Sequence, residues 1–157
     1  MIATTRKPGK TEFLLEIGAD FVIVTEEMDL VESVMAHTNG NGANFVFDPI
    51  GGDIVEKLAE ASAVGATIVE YGALAPEATQ FPLFRALAKG LSIRGYTLFE
   101  ITKNEELLKH AKEFVFEGLE RGELKPIIDR TFTLDEIREA QDYMASNQQI
   151  GKIVVAV

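Results

Sequence analysis

Apolar residues along this chain fall into two alternating patterns. Residues 1–5, 21–25, 66–72, 91–98 and 151–157 are short runs rich in β-branched side chains, which read as strands. The run 21–25 has almost no polar interruption, as in a strand covered on both faces. Between the runs, apolar residues recur at helical spacing. Residues 8–17 set Phe13, Leu14 and Ile17 on one face and stop at Gly18. Residues 29–38 turn Leu30, Val31, Val34 and Met35 inward, and Asn39-Gly40-Asn41-Gly42 is a turn. A later helix buries Ile54, Val55, Leu58 and Ala59; Gly65 breaks the chain before the strand 66–72. Residues 73–82 are a loop and 83–89 a short helix. Two capping boxes follow, Thr102-Lys-Asn-Glu105 and Thr133-Leu-Asp-Glu136. The first opens a long helix with Leu107, Leu108, Ala111, Phe114, Val115 and Leu119 inward. The second opens a helix carrying Ile137, Ala140 and Met144, and residues 126–132 between the two helices are extended. Strand and helix alternate with short loops. The pattern predicts an α/β fold, a mostly parallel sheet with helices on both faces, in one domain spanning 1–157.

The chain centres on residues 44–53, NFVFDPIGGD. Val46, Phe47 and Ile50 form a buried-strand run with one charge inside it, Asp48. Pro49 has no N–H for the ladder, so the strand ends there. Gly51 and Gly52 permit a tight turn, and Asp53 suits a helix N-terminus. An acid at the carboxyl end of a buried strand, then glycines and a helix, is how open α/β sheets build a ligand crevice. The alternative is a plain strand-to-helix connection in which Asp48 caps a backbone group.

The 157 residues suffice for one domain with a sizeable core. A net charge of −10 argues against nucleic acid or an anionic membrane as partner. The chain has no cysteine, which excludes disulfides, thiol catalysis and thiolate metal sites. With only His37 and His110, both expected on helix surfaces, no metal site is expected from this chain. No apolar run has the length of a membrane helix or signal peptide, so a cytoplasmic location is expected.

Against the acidic background, residues 3–10 read ATTRKPGK and carry Arg6, Lys7 and Lys10 with no acid before Glu12. They lie after a strand and at a helix start, where free N–H groups and cations attract an anion. In dinucleotide folds an acid at the end of the second strand bonds the NAD ribose, whereas an arginine accommodates the NADP 2′-phosphate. The alternative for these cations is a solvated charge run.

The segments ATTRKPGK, LLEIGADFVIVT, GANFVFDPIGGD, GATIVEYG, LSIRGYTLF, ERGELKPIIDRTFTLDEIREAQDYM and GKIVVAV, in that order and spacing, resemble the C-terminal part of the medium-chain dehydrogenase/reductase superfamily. That superfamily includes zinc-type alcohol dehydrogenases, quinone oxidoreductases and enoyl reductases. The resemblance implies a Rossmann-like NAD(P)-binding domain that lacks its first strand, Gly-rich turn and first helix, and lacks the catalytic domain. It implies NADP(H) as cofactor, no metal from this chain, and hydride transfer in a longer parent enzyme rather than complete catalysis here. By match to the family pattern, Thr5, Arg6 and Lys10 surround the adenosine ribose and its 2′-phosphate, with Thr25 nearby. Asp48 and Pro49 line the crevice. Tyr71, Gly72 and Ala73 stand near the pyrophosphate and nicotinamide ribose. Tyr96 flanks the nicotinamide, and Lys152 belongs to the closing Gly-Lys pair at that end. No catalytic residue is implied.

In the family's strand order 3-2-1-4-5-6 the absent strand is central. Its neighbours then carry unpaired N–H and C=O groups, each costing about 1–3 kcal/mol if buried without a partner. Either the two neighbours close up, or another chain supplies a strand, or the region stays open. A homo-oligomer is expected. The competing reading is a non-catalytic module without nucleotide binding that acts only in self-association. A methyltransferase of similar topology is disfavoured, because the closing TFTLDEIREAQDYM and GKIVV segments follow the reductase pattern.

Overall fold

The computed structural model describes residues 1–157, and its contacts divide them into two compact units, Met1–Lys103 and Asn104–Val157. The first unit carries five strands. β1 (Ile2–Thr5) pairs in parallel with β2 (Phe21–Val24), Ile2 opposite Phe21 and Thr5 opposite Val24. β3 (Ala43–Asp48), β4 (Ser62–Glu70) and β5 (Ser92–Gly95) form a second parallel sheet in that order. The register runs from Phe45 opposite Thr67 to Asp48 opposite Glu70, and on to Gly95 opposite Glu70. β1 pairs only with β2, and β3 only with β4. The two strands expected to flank a vacancy have therefore not closed up on each other.

Helices α2 (Leu30–His37) and α3 (Ile54–Ala61) follow β2 and β3 and pack together. They form the core with Ile23, Leu30, Val34 and Ala61, and Ile2, Phe21, Val31, Ala43, Ile54 and Leu58 pack around it. β2 is buried at Val22, Ile23 and Val24, as its uninterrupted apolar run predicts. Asp29 caps α2 by accepting the Glu32 N–H at 2.9 Å, which satisfies one of the free donors of its first turn. The remaining helices of this unit are short: α1 (Thr11–Glu16), α4 (Leu83–Lys89) and α5 (Phe99–Thr102).

Several expectations need correction. The strand at the centre of the chain is not buried on both faces: Asp48 is buried and Val46 half-buried, but Phe45 and Phe47 are each 68% exposed. Alternation sends these two rings to the face that α2 and α3 do not cover. β4 begins at Ser62 rather than after Gly65, because Gly65 (φ 73°) sits in an irregularity that the ladder bridges between Ala43 and Phe45 of its partner. β5 is shorter than 91–98, since the chain turns into α5 at Phe99. Ile17 is exposed because α1 ends one residue earlier, at Glu16. Asp53 stands at the head of α3 with helical backbone angles, and its side chain caps nothing.

The second unit contains α6 (Glu105–Glu120), β6 (Ile128–Thr133), α7 (Ile137–Ala145) and β7 (Lys152–Ala156). β6 and β7 pair in parallel. Thr133 and Glu136 form the expected capping box ahead of α7. The first expected box does not form: the cap of α6 is Asn104, which accepts the Leu107 N–H at 3.1 Å. Asn104 sits immediately before the first helical residue, whereas Thr102 is already the last residue of α5. The apolar side of α6 is not inward either. Leu107, Phe114, Val115 and Leu119 are exposed, and only Gly118 is buried. Ile137 and Met144 of α7 are exposed too, while Ala140 is buried. A two-stranded ribbon offers too little surface to cover two amphipathic helices. No helix in the chain is long and apolar enough to cross a membrane.

Candidate functional site

The ends of β1 and β2 bring a first group of these residues together. Beyond the paired residues, the Thr25 N–H donates to the Thr5 carbonyl at 2.9 Å, and the Glu26 N–H donates to the Arg6 carbonyl at 3.3 Å. The Thr25 hydroxyl also reaches the Thr5 carbonyl, and the Thr5 hydroxyl donates to the Lys7 carbonyl. Thr5, Arg6 and Thr25 thus stand together at the carboxyl end of the two strands. The Arg6 guanidinium lies 3.6 Å from the Glu26 carboxylate. Both side chains are about half exposed, so the pair is weakly held and open to exchange with another anion. Glu26 was missed from sequence, although it directly follows Thr25 and the parallel register brings it beside Arg6. Lys10 closes the 3-10 turn Pro8–Lys10 and is half-buried.

A recess of about 230 Å³ opens beside Thr25. Met28, Leu30 and Ile54 give it apolar walls, and Thr25, Asp53 and Lys57 supply polar groups. It lies where the segment after β2 meets the first turn of α3, outside the carboxyl ends of parallel strands. Sequence patterning did not single out Met28, Asp53 or Lys57 for this role, because they converge only when α2 and α3 pack together.

A second group stands at the crest at the ends of β3 and β4. Asp48 is 4% exposed. Its Oδ1 accepts the Ile50 N–H at 3.0 Å and its Oδ2 accepts the Gly51 N–H at 2.8 Å. The residues past β4 follow this turn closely: the N–H groups of Tyr71, Leu74 and Ala75 donate to the carbonyls of Asp48, Pro49 and Ile50. Gly72 is required here, since a Cβ would stand 2.5 Å from the Pro49 carbonyl oxygen. The Gly52 N–H donates to the Thr79 hydroxyl at 2.7 Å, and side chains of Ala75 and Glu77 lie where a Gly52 Cβ would be. The crest thus unites Asp48, Pro49, Tyr71, Gly72 and Ala73, and Tyr96 joins it through its N–H to the Glu70 carbonyl at 2.9 Å. Glu70, opposite Asp48, has its carboxyl pushed up to about 7, first by burial and then by the Asp48 charge. Lys152 belongs to the other unit, where it opens β7 with its N–H on the Ile127 carbonyl at 2.7 Å.

The donors of the Gly51-Gly52 turn are already taken, by Asp48 and Thr79. That turn is a self-satisfied connection and offers no open cradle to a diphosphate. The Thr25 recess, by contrast, has apolar walls and unlike polar ends.

Residues 17–155 match the family model of a zinc-binding dehydrogenase. A quinone oxidoreductase-like protein 2 homolog of Nematostella vectensis is 29% identical over 99% of this chain and 43% of its own length. A 2-haloacrylate reductase of a Burkholderia species is 26% identical over 99% of this chain and 47% of its own. Among solved structures, a quinone oxidoreductase of Pseudomonas syringae pv. tomato DC3000 superposes with a TM-score of 0.89 at 21% identity, over 99% of this chain and 48% of that one. An NAD-dependent alcohol dehydrogenase superposes with a TM-score of 0.84 at 26% identity, covering 43% of that chain. The chain spans less than half the length of these relatives. Its residues do not fit zinc. It has no cysteine, and no three His, Asp or Glu side chains converge on a point. The His37 ring stacks on Phe21 and bonds the Ser33 carbonyl.

Proposed function

Because this chain belongs to the zinc-binding dehydrogenase family of the medium-chain dehydrogenase/reductase superfamily, we propose that it is the part of an oxidoreductase that holds the adenosine end of NADP(H). The observation that carries this reading is the recess beside Thr25, at the end of the strand pair that Arg6 and Glu26 extend. An adenine is flat and apolar on its faces, which suits the Met28, Leu30 and Ile54 walls. Its polar edge suits Thr25 and Asp53. A ribose 2′-phosphate suits Arg6, which exchanges the Glu26 carboxylate for a dianion. Lys57 lines the recess, and Lys10, in the turn after β1, is proposed to add a second cation. On the nicotinamide side the proposed contacts are Asp48, Pro49, Tyr71, Gly72, Ala73 and Tyr96. NADP(H) supplies hydride transfer when bound, and in the whole protein the acceptor proposed is a quinone or enone. This chain contributes binding and orientation of the cofactor.

Calorimetric titration with NADPH and NADH tests the reading. Heat with NADPH and less with NADH supports it; equal heats remove the NADP preference, and no heat with either removes nucleotide binding.

A second reading is favoured by a different observation, the one-sided pairing of β1 and β3. In that reading the chain is a non-catalytic module that self-associates by lending a strand to open edges. Light scattering at micromolar concentration distinguishes the outcomes: a homo-oligomer supports self-association, and a clean monomer removes it.

A further inference from the structure

β3 and β4 end side by side, with Asp48 directly opposite Glu70. Asp48 is buried, and both of its oxygens already accept backbone N–H groups of the turn. The Glu70 side chain comes within hydrogen-bond reach of the same carboxylate. Glu70 Oε1 is buried, and no donor in the protein reaches it. Two carboxyl groups in contact and both ionised repel strongly in such a place. One proton held between them turns the repulsion into a short charge-assisted hydrogen bond.

The surroundings supply no counter-charge. On β5 the residue opposite Glu70 is Gly95. Arg94 precedes it, so strand alternation turns its side chain to the other face, where it pairs with Glu100. Tyr96 offers Glu70 only its backbone N–H, to the carbonyl. In the following loop the Glu77 carboxylate lies against Gly52, and Asp53 stands at the head of α3. Asp48 is the one ionisable neighbour that acts on the Glu70 charge.

We infer that Glu70 and Asp48 share one proton, and that this carboxyl–carboxylate bond clamps the turn 49–52 to the loop 71–79 and releases both when the proton leaves. The clamp has a defined load. Tyr71, Leu74 and Ala75 hydrogen-bond along Asp48, Pro49 and Ile50, and Thr79 holds Gly52. An ionised Glu70 pushes on Asp48, which anchors the turn from beneath. Glu70 carries the proton, and Asp48, whose two oxygens accept the Ile50 and Gly51 N–H groups, faces it across the strand pair.

The Glu70 carboxyl is raised from 4.5 to about 7 in the folded chain. The unfolded chain therefore loses this proton at lower pH than the folded chain does. Stability from the pair is complete below the unfolded value and is lost as pH rises through about 7.

Carbon-13 NMR of the Glu70 carboxyl in the full chain tests this without any nucleotide. We expect a midpoint near 7, with the Ile50 and Gly51 amide signals moving at the same midpoint and losing exchange protection above it. A Glu70 midpoint near 4.5, or Ile50 and Gly51 amides indifferent to it, overturns the inference. The variant Glu70→Gln keeps a neutral donor facing Asp48 and cannot ionise. Its melting temperature should stay level between pH 5 and pH 8, where that of the native chain falls. Parallel melting curves for the two proteins overturn the clamp.

Discussion

The two compact units treat their apolar residues in opposite ways. Residues 1–103 bury Val22, Ile23, Val24, Leu30, Val34, Val55, Ala59 and Ile68 between parallel strands and packed helices. Residues 104–157 bury only Phe132 and Ala140 among their apolar side chains, and leave Phe114, Phe116 and Met144 in the open. Both segments have helices of similar apolar periodicity. The difference lies in what the helices are given to pack against: two sheets in the first unit and a single two-stranded ribbon in the second. Periodicity states which face of a helix can be buried; a partner surface decides whether it is.

Five changes break or sharpen this contrast. Ile23→Ala removes a fully buried side chain at the centre of the first core, and the loss should be about 2–5 kcal/mol in urea denaturation. A loss under 1 kcal/mol would mean the first unit is no better packed than the second. Gly72→Ala drives a methyl group into the Pro49 carbonyl and should cost about 1–3 kcal/mol. Normal stability there would show that the crest is loosely held. In the second unit, Asn104→Ala deletes the cap of α6 and should cost about 1 kcal/mol, read as lost amide protection in its first turn. Thr102→Ala should leave that turn unchanged, and the reverse ranking would restore the capping box expected from sequence. Phe114→Ser should change stability by no more than about 0.5 kcal/mol, because the ring is exposed in the native state. A loss of several kcal/mol would reveal a covering surface in solution and erase the contrast.

The same contrast marks what was legible in the sequence. All seven strands and the principal helices follow from local pattern, because strand and helix periods are written in neighbouring residues. The Thr133–Glu136 box was equally local. The role of Asp48 was readable as two open alternatives, and it does cap the turn after its strand. Exposure of Phe45, Phe47, Leu107 and Phe114 was not legible, since burial depends on elements far away in the chain. The same limit hid Glu26 beside Arg6, Glu70 opposite Asp48, and the recess that Met28 and Lys57 share with Thr25. Each of these pairs is joined by strand register or helix packing rather than by spacing. The Gly51-Gly52 turn looked available to a ligand, and only the Thr79 hydroxyl and the Asp48 oxygens show that its donors are spent.

The central claim is that the ends of β1 and β2, with the recess beside Thr25, receive an adenosine carrying a 2′-phosphate. Backbone amide NMR of the full chain titrated with adenosine 2′,5′-bisphosphate tests it most directly. The account predicts saturable shifts at Arg6, Thr25, Leu30, Ile54 and Lys57, weakened at least tenfold by Arg6→Ala, with the amides of Gly51 and Gly52 unmoved. Shifts that are absent, or that centre on Gly51 and Gly52 and leave Thr25 untouched, would contradict it.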